Sequence, residues 1–172
     1  MKLYLAHPLE MRKEIREIEH KIEEETGIEL VNPFYDTGRD DIYEIDAGTK
    51  TRADATLDYN SLVMKDLRLI DECDGVVAFL TKHTHQIGTI CEMWNTMITT
   101  LKPVLVVTED CALHPWVRFI IEHSGGQSFE SWDAFTDFCK GLIEAEKLVV
   151  ELENKFGTMK GNDVQTEETD AT

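Results

Sequence analysis

Two acidic residues, Asp66 and Glu92, hold the positions from which chemistry can be argued. At 100° per residue, Leu62, Leu69, Ile70 and Cys73 form one apolar arc of a helix, and Asp66 falls inside it. A carboxylate aimed at a core is costly unless it is paired or used. Asp66 is therefore a satisfied structural acid, capping a loop or pairing with an arginine, or a functional one. Glu92 closes the run Gln86-Ile87-Gly88-Thr89-Ile90-Cys91-Glu92, which follows a strongly apolar segment and opens a helix. Gly88 allows a ligand close to the backbone there, and the free N–H groups of a helix start favour an anion. Glu92 then sits in the first turn beside the same crevice. However, Thr89-x-x-Glu92 is also a capping box, in which Glu92 only satisfies the Thr89 amide. Spacing alone leaves both readings open.

Other side chains fall near the same place. Tyr4, near the end of a first strand, reaches the crevice or packs in the sheet. Phe34 and Tyr35 follow a second strand and offer rings on which a flat base could stack, although core packing explains them nearly as well. Arg12, Lys13 and Arg16 lie among glutamates, where i,i+4 pairing is the default, and only Arg12 is near enough to the helix start to meet a phosphate. Trp116 and Arg118 belong to the rim of the crevice or to a subunit contact. Cys73, Cys91, Cys111 and Cys139 form no C-x-x-C pair and read as buried free thiols. His83-x-His85 has no third ligand nearby, so no metal site is expected.

These residues must be positioned by alternating strands and helices. Residues 2–6, 28–31, 75–80, 103–107 and 127–129 read as strands. Residues 9–26, 58–73, 88–101, 114–123 and 131–156 read as helices, the first carrying Ile15, Ile18 and Ile22 on one face and closed by Gly27. Residues 36–57 are polar and read as a long functional loop. Strands apolar throughout, at 75–80 and 103–107, imply a parallel sheet covered on both faces. The expected fold is α/β: a doubly wound, five-stranded, flavodoxin-like three-layer sandwich whose ligands bind beyond the carboxyl ends of the strands. One domain is expected over 1–156, followed by a disordered acidic tail over 157–172.

Composition bounds the function. The 172 residues are 42% hydrophobic and 30% charged, with a net charge of −17. That field repels polyanions and argues against a nucleic-acid polymer as partner, while leaving a small anionic substrate open. No apolar run approaches the roughly 20 residues that cross a bilayer. The opening Met1-Lys2-Leu3-Tyr4-Leu5-Ala6 does not read as a signal peptide, so a cytoplasmic, non-membrane protein is expected.

Taken together, the chain resembles the nucleoside 2-deoxyribosyltransferase family and its nucleotide N-glycosidase relatives. The likeness rests on Leu3-Tyr4-Leu5-Ala6-His7-Pro8, on Lys65-Asp66-Leu67 ahead of Cys73-Asp74-Gly75-Val76-Val77-Ala78, and on Gly88-Thr89-x-x-Glu92, in that order over residues 2–108. By that resemblance Glu92 is the catalytic nucleophile, Asp66 the acid assisting base departure and Tyr4 the hydroxyl that orients the nucleophile. Ala6, His7, Arg12, Phe34, Tyr35, Gln86, Gly88 and Thr89 fall to substrate binding, with Gly88-Thr89 facing the 5′ end of the sugar. The chain departs from the family at His7, where a Gly is usual, at Gln86, where Asp or Ser is frequent, and at Met93-Trp94, where a small Gly is common. The implied activity is transfer or hydrolysis at the N-glycosidic bond of a nucleoside or its 5′-monophosphate, without metal or organic cofactor. A homodimer or higher homo-oligomer, with a contact through residues 110–120, is implied as well. The rival from another class is a non-catalytic nucleotide-binding or sensing module, which would keep Gly88-Thr89 and need neither acid.

Overall fold

The computed structural model describes residues 1–36, 58–82 and 84–160, with the side chains of Tyr59 and residues 156–160 left aside. The long loop expected over 36–57 lies, from residue 37, outside the described residues, as do His83 and residues 161–172.

Five strands, β1 (Lys2–Ala6), β2 (Glu29–Val31), β3 (Gly75–Leu80), β4 (Val104–Thr108) and β5 (Ser128–Phe129), form one sheet. Every pairing is parallel, in the order β2-β1-β3-β4-β5. This is the α/β, flavodoxin-like arrangement expected from the two continuous apolar runs. The central β3 is buried at all six positions because it has neighbours on both edges and helices on both faces. The chain winds outward from β1 to β2, then returns to lay β3 on the other side of β1. That reversal between β1 and β3 is the switch point where open sheets of this kind leave a binding position at their carboxyl ends.

The helices are α1 (Arg12–Thr26), α2 (Tyr59–Glu72), α3 (Ile87–Asn95), α4 (Pro115–Ser124) and α5 (Trp132–Lys160). Residues 9–11 form a 3-10 turn ahead of α1, tighter than the continuous helix expected from Leu9. Gly27 closes α1 at φ 73°, a backbone conformation that other residues adopt only with strain. Asp58 caps α2 by accepting from the Asn60 and Ser61 amides. His114 caps α4 by accepting from the Trp116 amide, with Pro115 in the first turn. α3 continues as a π-helical turn over Thr96–Thr100 and stops at Leu101, whose φ is 54°.

α5 runs to Lys160, four residues past the expected end at 156. The chain divides into two compact units, Met1–Thr136 and Asp137–Thr172. The first contains the whole sheet and every candidate site residue. No helix among the described residues is long and apolar enough to cross a membrane.

Candidate active site

Tyr4 lies in the middle of β1, paired with Val31 of β2 and Val76 of β3, and is 0% exposed. A buried phenol needs a partner. It has one: the hydroxyl donates to Glu92 Oε1 at 2.8 Å, across 88 residues of sequence. α3 packs against β1 and β3, with Thr89, Met93 and Thr96 turned inward and Glu92, partly buried, beside that row. The capping-box reading of Glu92 fails. The helix begins at Ile87, so Thr89 is its third residue and Glu92 its sixth, past the first turn and bonded to Tyr4 instead.

α2 packs against both β1 and α3 and brings in Asp66, also partly buried. Its charge acts on both members of the Tyr4–Glu92 pair. Burial pushes the Glu92 carboxyl up to about 7, the Tyr4 hydrogen bond opposes that rise, and the Asp66 charge adds to it. The Tyr4 hydroxyl is raised well above its ordinary value, first by burial and then by the Glu92 and Asp66 charges. Tyr4 therefore stays protonated and donating, and Glu92 is poised between its two states near neutral pH. Two acids and a phenol from β1, α2 and α3 thus share one neighbourhood at the switch point.

The remaining candidates fall into two groups. Ala6 ends β1, buried and paired with Ala78. Gln86 stands at the N-cap of α3, with its amide donating to the Thr81 carbonyl. Gly88 is exposed with open space where a side chain would project, whereas the Thr89 side chain is buried. Both lie within the first helical turn, so only Gly88 offers an open face there.

The second group gathers beyond β2. The His7 ring is buried, and burial lowers it to about 4, so it is neutral. Its Nδ1 lies 3.1 Å from the Pro8 carbonyl and its Nε2 3.3 Å from Asn32 Oδ1, with the Phe34 ring edge-on at 4.9 Å between centroids. Tyr35 lies under the Arg16 guanidinium, 5.2 Å from the ring centre. Arg12 turns one guanidinium nitrogen to the Leu9 carbonyl at 3.0 Å, securing the 3-10 turn.

Sequence reasoning missed Glu19 and Asn32, both buried and hydrogen-bonded to each other at 2.7 Å. Glu19 lies between Ile15 and Ile22 on the inward face of α1. That is the same signal, an acid inside an apolar stripe, that singled out Asp66. Among the described residues, Glu19, His20 and Glu23 are the group whose ligand atoms lie close enough to share an ion. Both Glu19 oxygens are already engaged, by Arg16 and by Asn32.

Trp116 is 60% exposed and meets Trp94 and Phe119 at 5.6 and 6.2 Å between ring centres, forming an aromatic cluster across α3 and α4. The Arg118 guanidinium donates to the Leu113 carbonyl at 3.3 Å, at the start of α4. Beside the cluster runs an apolar groove of about 390 Å³ lined by Leu80, Ile90, Leu113 and Val117. Of the thiols, Cys73 and Cys139 are buried, Cys111 is partly buried and Cys91 is exposed, so the expectation of burial fails at Cys91.

No family model and no curated protein matches the sequence. Solved structures do. A conserved protein from Enterococcus faecalis V583 superposes with a TM-score of 0.63 at 15% identity, covering 82% of this chain and 98% of its own. A 2-deoxyribosyltransferase from the psychrotolerant bacterium Bacillus psychrosaccharolyticus superposes with a TM-score of 0.56 at 18% identity, covering 79% of this chain and 90% of its own. The chain therefore has the α/β fold on which that 2-deoxyribosyltransferase is built.

Proposed function

We propose that this protein is an N-glycosyl transferase or hydrolase of nucleosides or their 5′-monophosphates, with Glu92 as nucleophile. One observation carries the reading: the buried Tyr4 hydroxyl donates to Glu92 Oε1, while the charge of Asp66 reaches both groups. A binding module has no use for two acids brought together at a desolvated place, where burial and the Asp66 charge both raise the cost of ionising Glu92. A glycosyl transferase does, because an oxocarbenium-like transition state calls for one carboxylate that attacks and one carboxyl that gives up a proton.

With Oε1 held by Tyr4, Oε2 of ionised Glu92 attacks the anomeric carbon. The carbon–nitrogen bond breaks, its electron pair leaves with the base, and Asp66 supplies the proton or hydrogen bond the departing nitrogen needs. The product is a glycosyl ester on Glu92. A second base, or water, then attacks the same carbon, Asp66 takes up its proton, and the Glu92 carboxylate is released. Two displacements retain the anomeric configuration. Gly88 and the N–H groups at the start of α3 offer an uncluttered position for the 5′ end of the sugar, and Phe34 and Tyr35 supply rings for the base.

The reading extends to assembly. The exposed Trp94, Trp116 and Phe119 form an aromatic face, with the His123 ring stacked on Phe119, and this face is where two copies, each of net charge −17, meet with least repulsion. The segment 110–120 supplies Trp116 and Phe119 to this contact.

The test is a panel of ribo- and deoxynucleosides and their 5′-monophosphates, incubated with and without a second free base. Released base signals hydrolysis and exchanged base signals transfer, and both vanish in Glu92→Ala. A panel with no turnover, or turnover that survives Glu92→Ala, removes the proposal.

A further inference from the structure

The turn after β2 is held by a buried polar chain that the chemistry above leaves unused. It starts at Glu19, 1% exposed on the inward face of α1. Glu19 Oε2 accepts from Asn32 Nδ2 at 2.7 Å, and Oε1 accepts from the Arg16 guanidinium. Arg16 also donates to Asp36 Oδ1 at 3.1 Å and covers the Tyr35 ring. Asn32, fully buried, turns Oδ1 to the Phe34 amide at 3.0 Å and toward His7 Nε2 at 3.3 Å. Its own amide N–H donates to Asp36 Oδ2 at 2.8 Å.

An asparagine side chain has a donating end and an accepting end, and its neighbours decide which way it faces. Burial pushes the Glu19 carboxyl up to about 7 against the Asn32 hydrogen bond and the Arg16 charge. With Arg16 donating to one oxygen and Asn32 Nδ2 to the other, however, both carboxyl oxygens face donors, and this fixes the donating end of Asn32 on Glu19. The oxygen is then forced toward the Phe34 N–H, where it forms the side-chain-to-backbone bond that shapes an Asx turn. Flipped, Asn32 would set oxygen against the Glu19 carboxylate and its N–H₂ against the Phe34 N–H, two repulsive contacts. A buried carboxylate is costly to keep. Here its orienting effect passes through one amide to the turn that presents Phe34 and Tyr35.

We infer that Glu19 is a positioning residue for the substrate's base: through Asn32 it fixes the turn 32–36, and with it the two aromatic rings against which the base stacks. The inference rests on the glycosidic reading above, and two independent readouts test it. The first needs no substrate. In Glu19→Met, which keeps the volume and removes both acceptors, the Phe34 amide exchanges with solvent at least tenfold faster. The amides of Val76 and Val106 keep their protection. Glu19→Gln, which can still turn an oxygen to Asn32 Nδ2, restores slow exchange at Phe34. The second readout is kinetic: Glu19→Met raises KM for the nucleoside tenfold or more with kcat changed less than threefold, and Glu19→Gln recovers most of the loss. Asn32→Ala, which removes the relay in place of its anchor, gives the same pair of changes and serves if Glu19→Met does not fold. Unchanged Phe34 exchange, or a fall in kcat at constant KM, in a protein whose wild type turns over overturns the positioning role alone. A wild type that releases no base from any member of the panel overturns the glycosidic reading instead.

Discussion

At the scale of residues, Glu92 combines two opposed needs. A carboxylate withdrawn from water is a stronger nucleophile but a more reluctant anion, and its carboxyl is accordingly raised to about 7. Activity should rise with pH through about 7 as Glu92 ionises, falling roughly tenfold per pH unit below it. The two neighbours pull that limb in opposite directions. Tyr4→Phe removes the hydrogen bond that lowers the Glu92 value and should move the limb to higher pH. The active form holds one proton between the two acids, with Glu92 ionised and Asp66 protonated. Asp66→Asn, which removes the competing anion, should therefore move the limb to lower pH while cutting kcat by about 10²–10⁴ through loss of the acid. Parallel shifts in pH–rate profiles of the two variants would contradict the arrangement. Stability carries the same sign. A carboxyl whose folded value lies above its unfolded one supports the fold fully below about 4.5, and that support is lost as pH rises through about 7. Glu92→Gln should therefore be more stable than wild type at pH 8, by on the order of 2 kcal/mol, with the gain gone at pH 4. Thermal melts at the two pH values check it. Asp66 was legible in the sequence because an acid interrupts an apolar arc, and Glu19 was equally legible by the same rule. The Tyr4–Glu92 bond was not, since nothing local in either segment specifies a contact across 88 residues. Glu92 read on spacing alone fits a cap as readily as a site.

At the scale of elements, continuous apolar runs revealed β3 and β4 almost to the residue, because a strand buried on both faces leaves no room for polar alternation. Helix ends were less legible. The signal for a helix over 88–101 is correct in periodicity, yet the element ends in a π-helical turn in which the Thr96, Thr99 and Thr100 hydroxyls bond back to the carbonyls of Glu92, Asn95 and Thr96. Such turns are frequent near functional positions, and here the Thr96 bond falls on the carbonyl of Glu92, the proposed nucleophile. The link from α4 to β5 depends on Gly126 because a Cβ there would lie 1.9 Å from the Val104 carbonyl oxygen. Gly126→Ala must push β5 away from β4, at a cost of about 2–4 kcal/mol. A melt shifted by less than a few degrees would contradict that close approach.

At the scale of the whole molecule, charge and apolar surface act against each other. Thirty-four acidic residues against 17 basic ones keep copies apart, while an exposed aromatic face on α3 and α4 favours contact. Screening should decide between them, so the dimer dissociation constant should fall as salt rises from about 0.05 to 0.5 M. Trp116→Glu should give a monomer at every salt concentration, read by light scattering at micromolar protein. A wild type that stays monomeric throughout contradicts this use of the face. The composition indicated the repulsion, and Trp116 was singled out in the sequence for the rim or a subunit contact. Its partners Trp94 and Phe119 emerge only once the two helices are packed side by side.

The most direct test of the account is to trap the ester on Glu92. A nucleoside whose sugar carries an electron-withdrawing 2′-fluorine slows the second displacement, and the digested protein is then read by mass spectrometry. The account predicts one added glycosyl mass on the peptide containing Glu92, discharged by a second base. Released base with no adduct on that peptide, or an adduct on another residue, contradicts it.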